Sequence, residues 1–269
     1  MDRRLLSVLV VLTAVIAVGI AGCTGSSAPA EETPSGAADQ TGKEVYKVGI
    51  DIPYPPFSMI DDQGKATGFD VESMEWIAED QGFEVEFEQI AWDGIIPALQ
   101  AEKIDMIYSG MTITDERKEK VDFSKPYWTV NQAVVAKKDS GVTIDDLKAG
   151  KYAVGTQRGC TAAIWMEENL INEGIMAEDK LKSYDNTPLA VNDLESGRVQ
   201  AVMYDSTVMR DIIDGKDNLE IIGYIETNEE FGIAIRKNEE ELLTKLNAGL
   251  DNLMASDDWQ KLIEKYKMK

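Results

Sequence analysis

The sequence contains no histidine and only two cysteines, Cys23 and Cys160, among its 269 residues. Without histidine, the serine–histidine triad, imidazole acid–base chemistry and histidine-ligated zinc sites are all excluded. Two cysteines cannot form a cysteine-only zinc site or a disulfide framework. The chemistry that remains must come from carboxylates, arginine, lysine, aromatic rings, hydroxyls and the backbone.

Positive charge is also scarce. The chain has 27 Lys and Arg against 49 Asp and Glu, which gives a formal net charge of −22. Nucleic-acid binding needs a basic surface to replace counterions, so this balance argues against a nucleic-acid partner. The length allows one large domain or two of ordinary size, and the 43% hydrophobic and 28% charged fractions are typical of a globular protein.

Residues 1–22 have the pattern of an export signal. Two arginines precede an apolar run of 18 residues, Leu5 to Gly22, and Cys23 follows directly. A basic start, an apolar core and small residues before a cleavage point are typical of secretory signals. A cysteine after Ala-Gly resembles a lipoprotein signal, in which Cys23 becomes the lipid-modified first residue. The alternative is an uncleaved membrane anchor, because the run approaches the minimum length for a span. Either way, the remainder is expected outside the cytoplasm.

The segment that follows, residues 23–44, is rich in Ser, Gly, Ala, Pro and Thr. Such a composition cannot form a core and behaves as a flexible tether. A tether between a lipid and a domain suggests that the domain works close to the membrane.

Strand-like and helix-like segments alternate through the rest of the chain, which predicts a mostly parallel α/β sheet. The segment Leu99–Ile107 matches Leu194–Val202 in a shared pattern, a helix end that turns into a strand. We therefore interpret the chain as two α/β lobes that face each other. The predicted strands are 46–52, 84–89, 104–109, 152–156, 181–184 and 199–204, and the predicted helices are 70–80, 95–101, 161–170 and 188–195. Asp70 is the expected N-cap of the first of these helices, and Pro97 is expected near the first turn of the second, where proline is tolerated.

Several polar residues fall where these strands end. In open α/β sheets, ligands bind outside the carboxyl ends of the strands, which places Gly110–Thr112 and Tyr204–Asp205 at one cleft. Asp51 lies at the end of the first predicted strand, and Tyr54 lies in the proline-stiffened loop that continues from it, which suits either a small-molecule pocket or a turn that caps the core.

Arg117 lies in the first turn of a short predicted helix with Thr114 as N-cap, where a cation opposes the helix dipole. It is either a solvated surface residue or held for an anion, since arginine binds a carboxylate with two parallel hydrogen bonds. Asp205 is either a helix cap or a ligand residue. An acid and an arginine in one cleft are complementary to a zwitterion, which favours a free amino acid as ligand.

The sequence resembles the extracytoplasmic amino-acid-binding proteins of ABC importers, the polar amino-acid group (family 3) of solute-binding proteins. The resemblance covers about residue 45 to the C-terminus and is most specific in Trp92–Gln100, Ile104–Lys118 and Val121–Tyr127. It implies a two-lobe periplasmic-binding-protein-like α/β fold, in which each lobe is a mostly parallel sheet flanked by helices. Lobe 1 would comprise 45–130 plus 228–269 and lobe 2 would comprise 131–227, joined by two hinge crossovers.

The resemblance also implies roles for individual residues. The α-carboxylate would be held by Arg117, Thr112 and the N–H of Thr161, and the α-ammonium by Asp205 and the carbonyl of Gly110. The ligand side chain would lie between Tyr54 and Trp92, with Asp51 at its polar end and Ser109 on the floor. Cys160 departs from the family, which usually has Ser or Thr there. A reactive thiol is the alternative to a buried one at this position, although the sequence offers no clear activating cation beyond Arg158.

The expected function is high-affinity binding of a free amino acid, with a basic or amide side chain favoured by Asp51. Delivery to the membrane subunits of an ABC permease would follow by hinge closure. We expect a monomer, tethered through Cys23 to the outer face of the cytoplasmic membrane or located in the periplasm, with no cofactor, no metal and no catalysis. The alternatives are an enzyme similar to cyclohexadienyl dehydratases, which would need a general acid in the cleft, and a ligand-sensing subunit of a receptor.

Overall fold

The computed structural model describes residues 43–268. The interpretations of residues 1–22 as an export signal, of Cys23 as the lipid attachment site and of most of the tether lie outside the described residues. From residue 43 to residue 268, no helix combines the length and the apolar character that crossing a membrane requires.

Twelve strands and nine α-helices make up the described part of the chain. The strands are β1 Val45–Ile50, β2 Met59–Ile60, β3 Ala66–Thr67, β4 Glu84–Gln89, β5 Met106–Ile107, β6 Asp122–Phe123, β7 Trp128–Lys137, β8 Val154–Gln157, β9 Leu181–Tyr184, β10 Ala201–Asp205, β11 Leu219–Phe231 and β12 Ala234–Ile235. The helices are α1 Phe69–Gln81, α2 Trp92–Gln100, α3 Asp115–Lys120, α4 Ile144–Lys148, α5 Thr161–Met166, α6 Thr187–Ser196, α7 Ser206–Ile212, α8 Glu240–Met254 and α9 Asp257–Lys265.

Each lobe is built on one five-stranded sheet. The strand order is β4-β1-β5-β12-β6 in the first sheet and β9-β8-β10-β7-β11 in the second. In each sheet four strands share one direction, and the fourth strand in the order, β12 or β7, runs against its two neighbours. The expectation of two α/β lobes with mostly parallel sheets is therefore confirmed.

The internal sequence match reflects this shared topology. The segment Leu99–Ile107 leads from α2 into β5, and Leu194–Val202 leads from α6 into β10. Strands β5 and β10 occupy the same central position in their sheets. A helix that turns into a central strand thus recurs at equivalent places in the two lobes.

Local expectations differ from the structure at three helices. Asp70 is not the N-cap of α1, because the helix starts one residue earlier and Gly68 is the N-cap. Helix α2 begins at Trp92, so Pro97 is its sixth residue and not part of its first turn. Helix α5 ends at Met166, and a π-helical turn, Glu167–Ile171, continues it.

The predicted strand 104–109 is also shorter than expected, since only Met106 and Ile107 pair with β1. At its start, the Asp105 side chain accepts a hydrogen bond from the N–H of Lys47 at 2.8 Å and so replaces a ladder contact. The residues after the strand turn away toward the cleft, with Gly110 at a positive φ of 57°.

The core of the first lobe shows why the terminal helices pack there. Helix α8 packs against α1 and buries Leu242, Leu246, Leu250 and Leu253, which recur at helical spacing on one face. Burial of each such side chain contributes about 1.5–3 kcal/mol.

The chain enters the second sheet through β7 and returns from β11 to β12 of the first sheet, so these two long antiparallel strands are called the crossover strands. Their ladder pairs Trp128 with Phe231 and Val130 with Glu229, and then resumes with Gln132 opposite Ile225. Asn228, at a φ of 50°, donates its backbone N–H to Asn131 Oδ1 at 2.9 Å within this register shift. The ladder is therefore interrupted next to the crossovers that the sequence places at 130–131 and 227–228.

Candidate functional site

Asp51 follows β1 and is buried, with 5% of its surface exposed. Its Oδ2 accepts a hydrogen bond from Gln157 Nε2 at 2.7 Å, and the Oε1 of Gln157 accepts from the hydroxyl of Tyr204. Burial raises the pKa of the Asp51 carboxyl to about 6, although the hydrogen bond from Gln157 opposes the shift. Gln157 lies at the end of β8, so this contact joins the first lobe to the second.

Ser109 lies beneath this loop, with 1% of its surface exposed. Its Oγ accepts a hydrogen bond from the backbone N–H of Asp51 at 3.1 Å and lies 2.8 Å from Ser58 Oγ. The hydroxyl thus fixes the start of the loop that carries Asp51.

Tyr54 makes a second connection across the cleft. Its ring stacks on Phe57 at 5.2 Å between centroids, and its hydroxyl donates to Asp205 Oδ2 at 2.7 Å. A Cβ at Gly110 would lie 2.4 Å from the Tyr54 hydroxyl oxygen, so only glycine lets the two segments approach this closely. The backbone N–H of Gly110 donates to Asp70 Oδ2 at 2.8 Å, which holds the turn in place.

Asp205 ends β10, is the N-cap residue of α7 and is buried. It makes no side-chain capping bond to α7. Besides Tyr54, it accepts from Gln132 Nε2 at 2.7 Å. Burial raises its pKa to about 7, and the nearby Glu229 carboxylate adds to the shift, whereas the hydrogen bonds from Tyr54 and Gln132 and the charge of Arg117 oppose it.

Arg117 is buried in α3, and Thr114 is the N-cap as expected, since its side chain accepts from the N–H of Arg117 at 3.2 Å. The guanidinium donates to the carbonyl oxygens of Thr112 at 2.9 Å and of Gly159 at 3.3 Å, and lies 5.3 Å from the ring centroid of Trp92. Within residues 43–268 no carboxylate lies at ion-pair distance from the Arg117 guanidinium. Burial lowers the pKa of this guanidinium. A buried cation with only neutral partners is suited to receive an anion.

Trp92 and Thr161 complete the set of expected residues. The indole N–H of Trp92 donates to the carbonyl of Gly159 at 3.1 Å, a further contact between the lobes. Thr161 begins α5, and its Oγ1 accepts from Gln132 Nε2 at 3.3 Å. The structure thus brings all nine expected site residues to the facing edges of the two sheets. Their assigned roles toward a ligand stay predictions.

Thr112 has a partner that the sequence did not indicate. Its Oγ1 donates to Glu229 Oε2 at 2.9 Å. While the Thr112 hydroxyl donates to Glu229, the backbone N–H of Thr112 is the donor that remains for the anion expected near Arg117.

Cys160 is buried as the N-cap residue of α5, 3.2 Å from Thr156 Oγ1. Burial raises the pKa of its thiol to about 11, so the thiol is protonated at neutral pH. Arg158 does not activate it, because its guanidinium pairs with Asp93 at 3.3 Å and Asp185 at 3.0 Å near the surface. The structure favours a packing role for this cysteine over a reactive one.

A cavity of about 450 Å³ lies beside the cleft residues. Its lining includes Trp92, Arg117 and Gly159, together with Ile96 and Lys120. The carboxylates Asp51 and Asp205 do not line this cavity. It is therefore adjacent to the polar cluster and not its centre.

Sequence reasoning missed four polar residues of the cluster. Gln132 and Glu229 come from the two crossover strands, and Gln157 precedes Arg158 at a strand end. The position of Asp70 predicts a helix N-cap, whereas its carboxyl accepts from the N–H of Gly110. Only Gln157 carried a recognisable signal, since it directly follows the predicted strand 152–156.

A family comparison identifies the chain. The model of bacterial extracellular solute-binding proteins, family 3, matches residues 46–269. The chain belongs to this family. Family 3 members are extracellular binding proteins, which agrees with two lobes that meet at a polar cleft.

Individual relatives in family 3 have different named ligands. The chain is 36% identical over 224 residues to the L-cystine-binding protein TcyJ of Escherichia coli, with 81% of each chain covered. It is 35% identical over 244 residues to the L-arginine-binding protein of Pseudomonas aeruginosa, with 87% of this chain and 90% of the relative covered. A solved structure of an ancestral arginine-binding protein bound to arginine is similar at a TM-score of 0.76 and 38% identity, covering 83% and 98% of the two chains. These relatives are all amino-acid-binding proteins, and amino-acid binding is their shared activity.

Proposed function

We propose that this protein binds a basic amino acid, with L-arginine as the first candidate. The observation that carries the proposal is the balance of buried charge in the cluster. Arg117 is the one buried cation among residues 43–268, whereas three acids, Asp51, Asp70 and Asp205, are buried. The carboxyl of Asp70 already accepts hydrogen bonds from the N–H of Gly110 and the hydroxyl of Tyr127, so Asp51 and Asp205 are the acids considered for a ligand. Consider a zwitterion that pairs its carboxylate with Arg117 and its ammonium with Asp205. It leaves Asp51 with neutral hydrogen-bond partners, chiefly Gln157. A cationic side chain supplies the missing charge.

Other amino acids satisfy this balance less well. An amide side chain can donate hydrogen bonds to Asp51 but leaves its charge uncompensated, and an acidic side chain is repelled. Cystine is the strongest competitor, because its second ammonium group can also meet Asp51. The named ligands of the relatives, arginine and cystine, support the same two candidates.

We infer that binding acts by hinge closure, with crossovers at 130–131 and 227–228. The register shift in the β7–β11 ladder supports this location. The contacts Gln157–Asp51, Tyr54–Asp205 and Trp92–Gly159 join the two lobes and stabilise a closed cleft. A ligand that binds the closed form better shifts the population toward it. The closed form would then dock on an ABC permease, with the chain held at the membrane by lipid on Cys23.

We also propose that the cleft binds without catalysing a reaction. The competing activity is dehydration of a cyclohexadienyl acid, which a buried protonated carboxyl could assist as general acid. Asp51 and Asp205 have raised pKa values that suit such a role. Incubation with prephenate or arogenate tests this candidate, and release of an aromatic product would establish it.

The test of the binding proposal is a thermal-shift screen against all amino acids, ornithine and cystine, followed by calorimetry. A ligand that binds only the folded protein raises the Tm by mass action. We expect the largest rise with arginine, lysine or ornithine. Asp51→Asn should reduce the preference for arginine over glutamine by about tenfold or more, since it removes one charge-assisted contact. Asp62→Asn, an exposed site with the same change of charge, is the control. A response to acidic or apolar amino acids alone would refute the proposal.

A further inference from the structure

One side-chain amide connects two carboxylates next to the crossovers. Gln132, which is fully buried in β7, donates from Nε2 to Asp205 Oδ1 at 2.7 Å and to Glu229 Oε1 at 2.8 Å. An amide nitrogen carries two hydrogens, so the two carboxylates use both. The longer contact to Thr161 Oγ1, at 3.3 Å, is secondary to these.

These contacts form a continuous chain from one sheet to the other. Asp205 ends β10 in the second sheet, Gln132 lies in β7, and Glu229 lies in β11 beyond the register shift. The other oxygen of Glu229 accepts from Thr112 Oγ1, which follows β5 in the first sheet. The Gln132–Glu229 contact therefore joins the two crossover strands themselves.

The electrostatics of the cluster fit a site for a cation. The charge of Glu229 disfavours ionisation of the Asp205 carboxyl. The hydrogen bonds from Tyr54 and Gln132 and the charge of Arg117 favour its ionisation. The buried side chains of Tyr204 and Cys160 also face this carboxyl. The Oε1 of Gln132 is buried and has no hydrogen-bond partner among residues 43–268. An ammonium group has three N–H donors, so a free acceptor beside a carboxylate is what it requires.

We propose that Gln132 is a positioning residue for the α-ammonium site. Its side chain orients Asp205 by bridging it to Glu229, so binding of the ligand ammonium depends on both crossover strands. The inference rests on the proposed function, because it assigns the ammonium of an amino acid to Asp205. It adds that the site is oriented from the crossover strands and not only from the strand end that carries Asp205.

The first test uses the protein without ligand. Carbon-13 NMR of the Asp205 carboxyl follows its titration in Gln132→Leu, Glu229→Gln and the control Glu230→Gln, whose site is adjacent and exposed. Loss of the Gln132 hydrogen bond should raise the pKa of Asp205, and loss of the Glu229 charge should lower it, while the control leaves it unchanged. Shifts in the same direction in both variants, or none, would overturn the proposal. Because no amino acid is added, this result is independent of the proposed ligand.

The second test compares L-arginine with 5-guanidinopentanoate, which lacks only the α-amino group. Gln132→Leu should weaken L-arginine binding by about 10- to 100-fold, the effect of one hydrogen bond to a charged group, and should leave the analogue within about threefold. An equal loss for both ligands would show a merely structural role and overturn the proposal. If the unmodified protein binds no L-arginine, the basic-ligand proposal fails, and the NMR result still decides the role of Gln132. Should Gln132→Leu not fold, Glu229→Gln provides both measurements.

Discussion

The affinity for a basic amino acid should fall steeply as the pH is lowered from 7 to 5. Asp51 and Asp205 have pKa values raised by burial to about 6 and about 7 in the protein without ligand. A cationic side chain at Asp51 and an ammonium at Asp205 both favour the ionised carboxyls, so each pKa is lower in the complex. Binding then releases the protons that these groups carry, and affinity is lost as the pH falls through the pKa values of the free protein.

The size of the effect follows from the two pKa values. If Asp51 stays ionised in the complex, its protonation weakens binding by about tenfold at pH 5 and hardly at all at pH 7. Asp205 adds a further loss of about 50-fold over the same interval. The combined loss for L-arginine is on the order of several hundredfold, whereas L-glutamine, which brings no cation to Asp51, should show only the Asp205 part.

Calorimetry at several pH values, in buffers of different ionisation enthalpy, measures both the affinity and the protons released. Asp51→Asn should remove the tenfold Asp51 contribution from the arginine profile and leave the remainder, and Asp62→Asn should leave the whole profile unchanged. An affinity for arginine that is constant between pH 5 and 7 would refute the electrostatic reasoning. The same pH profile in Asp51→Asn and in the unmodified protein would refute the assignment of Asp51.

Three further predictions concern other residues. Arg117→Met should weaken binding of any amino acid by about 100-fold or more, because it removes two charge-assisted hydrogen bonds to the ligand. Unchanged affinity in calorimetry would contradict the assignment of the ligand α-carboxylate to Arg117. Gly110→Ala should weaken binding by displacing Tyr54, because the added Cβ would lie 2.4 Å from the hydroxyl, whereas Gly94→Ala, which has nothing within 4 Å, should not. Burial raises the pKa of Asp70 to about 7, so the folded state binds more protons than the unfolded state, and the Tm without ligand should fall as the pH rises from about 4 to 8. Asp70→Asn should flatten that fall in calorimetric scans, and an unchanged slope would count against the buried carboxyl as its source.

The sequence predicted those parts of the site that depend on local chain geometry. Thr114 caps α3 and Arg117 follows it within one turn, so their relation is set by three residues of helix. Asp205 ends a strand, and strand ends in α/β sheets meet at one edge, so its place in the cleft could also be predicted. The repeated helix-to-strand pattern identified the two lobes for the same reason.

The missed residues depend on contacts between distant segments. The carboxyl of Asp70 accepts from Gly110, forty positions along the chain, and its local position resembled a helix cap. Gln132 and Glu229 meet because the β7–β11 ladder shifts its register between them, and a register shift leaves no periodic signal in either strand. Side chains that join the lobes are therefore the ones that a single sequence reveals least.

The buried carboxyls also determine how a ligand should stabilise the protein at different pH values. In the protein without ligand, raised pKa values at Asp51, Asp70 and Asp205 mean that ionisation of these groups opposes folding, so stability declines as the pH rises toward 8. A basic amino acid supplies counter-charges to Asp51 and Asp205, and its affinity increases over the same pH range. The rise in Tm at a fixed, saturating arginine concentration should therefore be larger at pH 8 than at pH 5.5. A rise that is equal at both pH values would mean that the ligand does not neutralise these carboxyls.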